Sequence, residues 1–249
     1  MDQLPVRIFT TLAELAAEAA EDASTVLLAA IAARGRARAI LATGNSQDLF
    51  LEKLTQRSGI DWSRVELFHM DEYLGMPVTH PASFRRYLKQ RVFDRVHPGA
   101  ARCIEGDALE PLKAMRDYAA QLAAAPVDLC CLGIGENGHL AFNDPPVADF
   151  ADPEIIKLVK LDEKCRWQQV GEGHFPNIDA VPAYAITLTI PTLCRVGRMI
   201  AVVPEKRKAH AVKASLEGPV VSACPGSFLR RQAHAILYLD TDSASLLSR

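Results

Sequence analysis

The sequence lacks an apolar run of about 18 residues, the length that a membrane-spanning helix needs, and it begins without signal-peptide features. Its six cysteines include no Cys-x-x-Cys spacing and mostly have apolar neighbours. Its seven histidines show neither His-x-x-x-His nor Cys/His ligand spacing. We therefore expect a cytoplasmic protein with reduced, buried cysteines and no metal ion.

An excess of positive charge is also missing. The formal net charge is −2 and the sequence pI is about 6.4, which argues against nucleic acid or an anionic membrane as a partner. Basic residues cluster only locally, at Arg85-Arg86 and at 206–208, and such small clusters suit a small anion. No Gly/Ser-rich or Pro-rich linker and no internal repeat divides the chain, so residues 1–249 are expected to form one domain.

Strand and helix signals alternate along the chain. Apolar, β-branched runs predict strands at 6–10, 37–42, 65–68, 127–134, 155–161, 185–190, 199–203 and 235–239. Helix signals cover 11–34, 47–56, 83–93, 111–124 and 207–217, and the first begins with a Thr11-x-x-Glu14 capping box. The polar stretch 69–81 is expected to be a loop. This alternation predicts an α/β fold, with a mainly parallel sheet covered by helices on both faces.

The segment 127–146 is the expected reaction centre. An apolar strand passes through three glycines and then presents Asn137, His139 and Asp144 at its carboxyl end, where ligands bind in open α/β sheets. Its Gly-x-Gly-x-x-Gly pattern also matches the dinucleotide fingerprint. Because Pro145 and Pro146 prevent the helix that this fingerprint requires, we do not expect NAD.

A second feature of the predicted sheet edge suits a phosphate group. Thr43-Gly44-Asn45-Ser46 lies between a strand and a helix, where free amides and hydroxyls can hold an anion. The alternative is a simple Ser46 helix cap. Lys208 begins a helix beyond another strand, a position unfavourable for a cation unless an anion is nearby, although a solvated lysine is the alternative.

Acid and base candidates complete this edge. Asp71 and Glu72 follow a strand, and since neighbouring side chains of an extended chain point in opposite directions, only one can face the crevice. Such a carboxylate could remove a carbon-bound proton, or it could merely cap a turn or pair with Arg85 or Arg86. His139, oriented by Asp144, would be a proton carrier near neutral pH.

These motifs resemble those of glucosamine-6-phosphate deaminases. The resemblance covers nearly the whole chain, through Thr43-Gly-Asn-Ser46, Met70-Asp-Glu-Tyr-Leu-Gly75, the segment 133–145 with its Asn-Gly-His-Leu-Ala-Phe-Asn-Asp core, and Lys208 before Leu216-Glu-Gly218. It implies a Rossmann-like fold of the sugar-phosphate isomerase type. The related 6-phosphogluconolactonases share that fold but usually carry Asp-Glu-Arg and Gly-His-Thr-Ala-Ser motifs instead.

The resemblance also implies roles for individual residues. Asp71 would move the C2 proton of an open-chain amino sugar, and His139 would assist ring opening with support from Asn137 and Asp144. Phosphate would bind to Thr43, Gly44, Asn45, Ser46 and Lys208. The reaction would convert glucosamine 6-phosphate to fructose 6-phosphate and ammonia without a cofactor, so the expected partner is a small sugar phosphate.

Three departures from the family pattern affect the assignment of these roles to residues of this sequence. Asn137 stands where some members carry Asp, and Asp144 replaces the usual Glu, which shortens the reach to His139 by one methylene. A water molecule or a small backbone shift is then expected to bridge the gap. The family's substrate-binding arginine has no clear counterpart, which leaves Arg166 or His174 as substitutes. The acidic stretch 147–154 also argues against an allosteric phosphate site.

Two other functions remain as alternatives. One is hydrolysis of a phosphorylated sugar lactone, and the other is binding of a sugar phosphate without catalysis. The sequence does not distinguish glucosamine from galactosamine, and it leaves homo-oligomer formation open.

Overall fold

The structure, a computed structural model, describes residues 4–248, so residues 1–3 and 249 of the expected single domain lie outside it. Its strands are β1 (Val6–Phe9), β2 (Ala37–Leu41), β3 (Val65–His69), β4 (Asp71–Tyr73), β5 (Ala100–Arg102), β6 (Val127–Leu132), β7 (Ile156–Lys160), β8 (Tyr184–Leu188), β9 (Val196–Val203) and β10 (Ala235–Asp240). Its α-helices are α1 (Leu12–Arg34), α2 (Asp48–Thr55), α3 (Phe84–Leu88), α4 (Asp94–Val96), α5 (Pro111–Ala123), α6 (Glu163–Gly171), α7 (Ile190–Cys194) and α8 (Ala209–Glu217). A π-helical turn, Lys89–Phe93, joins α3 to α4.

Seven strands form the main sheet, in the order β1-β10-β9-β6-β2-β3-β5, and every neighbouring pair is parallel. Alternate residues of each strand pack on opposite faces. In β2, for example, Ile40 belongs to one apolar cluster, whereas Ala39 and Leu41 belong to the other. Helices cover both faces, which confirms the predicted α/β architecture.

The first helix follows the sequence prediction closely. The Thr11 hydroxyl accepts a hydrogen bond from the Glu14 amide at 3.2 Å, and the Glu14 carboxylate accepts one from the Thr11 amide at 3.1 Å. Gly35 ends the helix at a φ of 74°, a conformation that glycine adopts without strain. Buried alanines on α1 let the helix pack close to the sheet.

The regions around β4, β7 and β8 differ from the prediction. The runs at 155–161 and 185–190 are strands, but they pair antiparallel with each other and with β4 in a separate three-stranded sheet. Part of the expected loop 69–81 is therefore a buried strand. Apolar patterning predicts that a segment is a strand, but it carries no information about the strand with which it pairs. Strand β5 and helix α6 were not predicted.

None of the described helices combines the length and the apolar character that crossing a membrane would require.

His69, at the end of β3, gives the fold a dependence on pH. Its side chain is fully buried, and burial together with the nearby Arg85 lowers the pKa of the imidazole from 6.5 to about 3. The unfolded chain therefore binds a proton more readily, so His69 favours the fold above pH 6.5 and this contribution falls as the pH drops toward 3. We expect denaturant unfolding to show a loss of about 2 kcal/mol from this residue between pH 7 and pH 5.

In His69→Gln this part of the pH dependence should disappear, whereas His210→Gln, at an exposed position of α8, should retain it. An identical slope in both variants would contradict the assignment.

Candidate functional site

Loops from several strands meet at the carboxyl edge of the main sheet and line a cleft that is open to solvent. The lining residues are Ala42, Thr43, Gly44, Ser46, Met70, Asp71, Phe84, Gly133, Ile134, Gly135, His139, Ala141, Phe142, Gln168, Gln169, Glu172 and Lys208. Of the residues selected from sequence, Thr43, Gly44, Ser46, Asp71, His139 and Lys208 thus share one cavity. Asn45, Asn137, Asp144, Arg166 and His174 are not in this lining.

One end of the cleft has features suited to an anion. Gly44 adopts a φ of 104°, and a 3-10 turn, Asn45–Gln47, leads from it into α2. Across the cleft, Lys208 is only 3% exposed, and burial lowers the pKa of its ammonium group while the nearby Glu172 opposes that effect. A buried ammonium group facing a glycine loop is a favourable arrangement for phosphate.

Glu172, immediately after α6, was not selected from the sequence. Its side chain is 6% exposed, and Oε1 lies 3.7 Å from Lys208 Nζ and 3.5 Å from an Arg207 guanidinium nitrogen. Gln168 donates a hydrogen bond to Oε1 at 2.8 Å, and His174 Nε2 lies 3.3 Å from Oε2. Burial acts to raise the pKa of Glu172, but His174, Lys208 and Arg207 outweigh it and lower the value to about 2. The carboxylate is therefore ionised at neutral pH.

Asp71 and Glu72 point in opposite directions along β4, as expected, and their surroundings differ. Asp71 is 6% exposed and lines the cleft. Its pKa is raised well above the usual range, first by burial and then by the negative charges of Glu72 and Asp144. No hydrogen bond from the described residues stabilises its ionised form. Such a carboxylate is a stronger base than one in water.

Glu72 is fully buried on the other side of β4. Its carboxylate accepts hydrogen bonds from the Ser83 hydroxyl at 2.8 Å and from the amides of Tyr73, Phe84 and Arg85 at 3.0, 3.2 and 3.0 Å. The Arg85 side chain lies 3.5 Å away. Glu72 therefore attaches β4 to the start of α3, the structural role that was weighed as one alternative for this pair.

The imidazole of His139 faces the cleft with a carboxylate behind it. His139 Nδ1 lies 3.0 Å from Asp144 Oδ1, with the ring turned so that the hydrogen-bond angle is poor. The shorter aspartate therefore comes within contact distance of the histidine, but a small rotation of the ring or a small shift is needed to complete a hydrogen bond. At position 135 a side chain is excluded, because a β-carbon would lie 2.2 Å from His139 Cε1 and Nε2.

Further donors keep Asp144 ionised. Asn137 Nδ2 donates to Asp144 Oδ1 at 3.0 Å, and the Asp162 amide donates to Oδ2 at 3.0 Å. Burial acts to raise the pKa of Asp144, but these donors and His139 together lower it. Asn137 Oδ1 also accepts a hydrogen bond from the His139 amide at 3.0 Å. Asn137 and Asp144 thus hold the histidine from behind.

The glycine pattern 133–138 is not followed by a helix. The described chain continues after it through turns to Asp144, and this agrees with the expectation that it is not a dinucleotide fingerprint. Within the described residues, ligand atoms of His139, Asp144 and Cys165 lie within 4.8 Å of one another. Burial raises the pKa of the Cys165 thiol well above its usual range, which opposes a metal-binding thiolate.

The two candidates for the missing arginine each have partners within the fold. Arg166 donates hydrogen bonds to the carbonyl oxygens of Ile178 and Val181, at 2.6 and 3.0 Å, so its guanidinium is used within the fold. His174 contacts the Glu172 carboxylate. Asn45 likewise donates to the Glu172 backbone oxygen, at 3.2 Å. Each of these three side chains is therefore paired within the ligand-free fold, and their roles in substrate binding stay predictions.

Sequence reasoning missed the residues that α6 brings to the cleft, namely Gln168, Gln169 and Glu172. Gln169 accepts a hydrogen bond from the Tyr73 hydroxyl at 2.8 Å. The Asp162-Glu163 pair is a typical helix start and could have revealed α6. No local signal indicates that its last turn faces the cleft.

Comparisons with known proteins show the family to which the chain belongs. A family model described as glucosamine-6-phosphate isomerases/6-phosphogluconolactonase matches residues 10–238. A glucosamine-6-phosphate deaminase of Exiguobacterium sibiricum is 32% identical over 208 residues, which cover 84% of this chain and 80% of that protein. One from Pseudarthrobacter chlorophenolicus is 34% identical over 212 residues, covering 83% and 80%. The chain belongs to this family of isomerases and lactonases.

Solved structures of similar proteins have the same fold as this chain. A monomeric glucosamine-6-phosphate deaminase superposes with a TM-score of 0.89 at 28% identity, covering 98% of this chain and 100% of that one. A 6-phosphogluconolactonase from Shewanella baltica has a TM-score of 0.78 at 19% identity, with coverages of 96% and 98%, and shows that the fold is shared.

The adjacent carboxylates of β4 should respond oppositely to substitution. Because the pKa of Asp71 is higher in the folded than in the unfolded chain, its ionised form destabilises the fold at neutral pH. Asp71→Asn should therefore increase the free energy of unfolding at pH 7. Burial also raises the pKa of Glu72, but Glu72→Ala leaves the four donors around it unpaired and should decrease that free energy by roughly 3 kcal/mol or more. Urea titration checks both, and destabilisation by Asp71→Asn would contradict the environment described here.

Proposed function

We propose that this protein is a glucosamine-6-phosphate deaminase, which converts glucosamine 6-phosphate and water to fructose 6-phosphate and ammonia. The observation that supports this most is the composition of one cleft: an unpaired buried carboxylate, a histidine–aspartate pair and a buried lysine beside a glycine loop. We also propose that residues 1–249 act as one catalytic domain. Six free thiols among the described residues support a cytoplasmic location.

In this proposal, the phosphate group anchors the substrate at Thr43, Gly44, Ser46 and Lys208. Backbone amides and the ammonium group are suitable partners for a phosphate dianion. A remote anchor of this kind fixes the orientation of the reacting carbons, so that its binding energy contributes to the chemical step.

Ring opening is assigned to His139. Asp144 remains ionised and holds Nδ1, which leaves Nε2 to exchange a proton with the sugar. Opening the pyranose moves the C1 hydroxyl proton to the ring oxygen and gives a free aldehyde at C1. A histidine held in one tautomer by a carboxylate is suited to this transfer.

Asp71 is assigned the carbon chemistry. Its carboxylate removes the proton from C2, the electron pair of that bond forms the C1–C2 double bond, and the C1 carbonyl oxygen takes a proton from the ammonium group at C2, which gives an enolamine. The proton held by Asp71 is then delivered to C1, which gives an iminium ion at C2 and restores the carboxylate. Water adds to the iminium ion, the nitrogen leaves as ammonium, and the C2 ketone of fructose 6-phosphate remains. The raised pKa of Asp71 favours this role, because a stronger base is better matched to a carbon acid.

Hydrolysis of a sugar-phosphate lactone is the second candidate, since the family and the fold include 6-phosphogluconolactonases. Curated relatives of 32% and 34% identity that are named deaminases favour the first proposal. The two reactions differ in their proton chemistry, because only the deaminase moves a proton between C2 and C1.

Asp71→Asn should reduce ammonia release from glucosamine 6-phosphate by about 10²-fold or more, because the carbon-bound proton loses its base. A coupled ammonia assay measures this rate. Asp179→Asn, an exposed aspartate outside the cleft, is the matched control and should keep the wild-type rate.

An unchanged rate in Asp71→Asn would reject its assigned role. Lactone turnover without ammonia release, and without solvent deuterium at C1 of any product, would favour the lactonase instead.

Lys208→Met should raise KM for glucosamine 6-phosphate by roughly 30- to 150-fold, because a charge-assisted hydrogen bond to phosphate contributes about 2 to 3 kcal/mol. Lys206→Met removes the same charge at an exposed position two residues earlier and should change KM less than threefold. Equal effects of the two variants in steady-state kinetics would show that Lys208 is not the phosphate ligand.

A further inference from the structure

The anion end of the cleft already contains an anion that belongs to the protein. Glu172 lines the same cavity as Thr43, Gly44 and Lys208, and its carboxylate lies 3.7 Å from the Lys208 ammonium group. With a pKa of about 2, Glu172 is ionised under all ordinary conditions. The positive charge that should attract phosphate is therefore paired within the fold before any ligand arrives.

This pairing stabilises the ligand-free protein. Lys208 is 3% exposed, and a buried ammonium group without a counterion is strongly destabilising. Arg207 lies 3.5 Å from Glu172 but has a closer partner in Glu205, at 2.6 Å. The Glu172 carboxylate therefore removes the cost of leaving Lys208, rather than Arg207, without an anion.

The Glu172 carboxylate also opposes the binding of phosphate. A phosphate held by the 43–46 loop and Lys208 would lie close to the Glu172 oxygens, because both anions use the same ammonium group. Two like charges at such a distance in a partly buried site repel each other. Phosphate and the Glu172 carboxylate therefore cannot both occupy their best positions.

Glycine lies on both sides of Glu172. Gly173 has a φ of 81°, and a β-carbon at either Gly171 or Gly173 would have no atom within 4 Å beyond its chain neighbours. The Glu172 backbone is itself hydrogen-bonded, through its amide to Gln168 and through its oxygen to Asn45. Displacement of the carboxylate therefore requires rotation of the side chain, which breaks its contacts with Gln168 and His174.

We propose that Glu172 is an internal competitor for the phosphate position, which pairs with Lys208 in the free protein and is displaced when phosphate binds. The inference rests on the proposed function only in that the ligand carries a phosphate group. It adds to that function a residue, Glu172, that makes the cleft selective for phosphorylated sugars. A doubly charged phosphate can displace the carboxylate, whereas a neutral sugar offers Lys208 no charge in exchange.

The test measures binding of inorganic phosphate by titration calorimetry, which does not depend on turnover. Glu172→Gln should bind phosphate at least tenfold more tightly than the wild type. The matched control is Glu136→Gln, which removes one negative charge 3.9 Å from Arg207 but outside the lining of the cleft. It should change phosphate affinity less than threefold. Lys208→Met should abolish the gain when it is combined with Glu172→Gln.

Thermal unfolding provides a second readout. Without phosphate, Glu172→Gln should unfold at a lower temperature than the wild type, because Lys208 loses its counterion. Added phosphate should raise its unfolding temperature more than it raises that of the wild type. Glu172→Asp retains the charge but moves it back by one methylene. Its phosphate affinity should lie between those of the wild type and Glu172→Gln. This variant replaces Glu172→Gln in the test if Glu172→Gln does not fold.

Equal or weaker phosphate binding by Glu172→Gln would overturn the proposal, and so would an equal gain in Glu136→Gln. If Glu172→Gln does not fold, wild-type affinity in Glu172→Asp overturns it in the same way. These outcomes are separate from failure of the proposed function. If Glu172→Gln binds phosphate tenfold more tightly but the wild type releases no ammonia, only the deaminase assignment is rejected. If the wild type releases ammonia but Glu172→Gln binds phosphate with unchanged affinity, only the role of Glu172 as a competitor is rejected.

Discussion

Parallel pairing of the central strands determines where the polar groups of the cleft lie. Leu41 of β2 is paired with Cys131 of β6, which is paired with Ile200 of β9. The three strands therefore end at one edge, and the loops that follow them open into the same space. A shift of one residue in any of these pairings would reverse the faces of that strand and move its loop. The apolar residues on both faces of the sheet thus maintain the geometry of the site.

Once the loops are in place, local donors give each buried carboxylate a different character. Burial acts in the same direction on all of them, toward a higher pKa. For Asp144 and Glu172 the surrounding donors and cations outweigh it, and both stay ionised. Asp71 has no such donors, so its pKa is raised and its carboxylate faces the cleft without a partner among the described residues. Because their environments differ, three carboxylates can have three roles in one site: Asp144 orients the histidine, Glu172 is a counterion, and Asp71 is the proton acceptor.

The sequence predicts every strand of the parallel sheet except β5, because these strands are mainly apolar runs that end in glycines or polar residues. Asp71, His139 and Lys208 could be selected for the same reason, since each lies just beyond such a run and the carboxyl ends of parallel strands converge. The antiparallel pairing of β4 with β8 could not be predicted in this way. It depends on contacts between residues more than a hundred positions apart, and the short segment 71–73 has no periodicity of its own.

Helix α6 shows a different limit of sequence reasoning. Arg166 is a candidate for the family's substrate-binding arginine, and its guanidinium donates to the carbonyl groups of Ile178 and Val181. Glu172 is not among the sequence candidates, and a carboxylate has the wrong charge for a phosphate ligand. In the folded protein a buried lysine needs a partner at all times, including when the cleft holds no substrate. The charge requirement of the ligand-free state, which no motif for substrate binding encodes, therefore explains why an acidic residue lies at the anion end of this cleft.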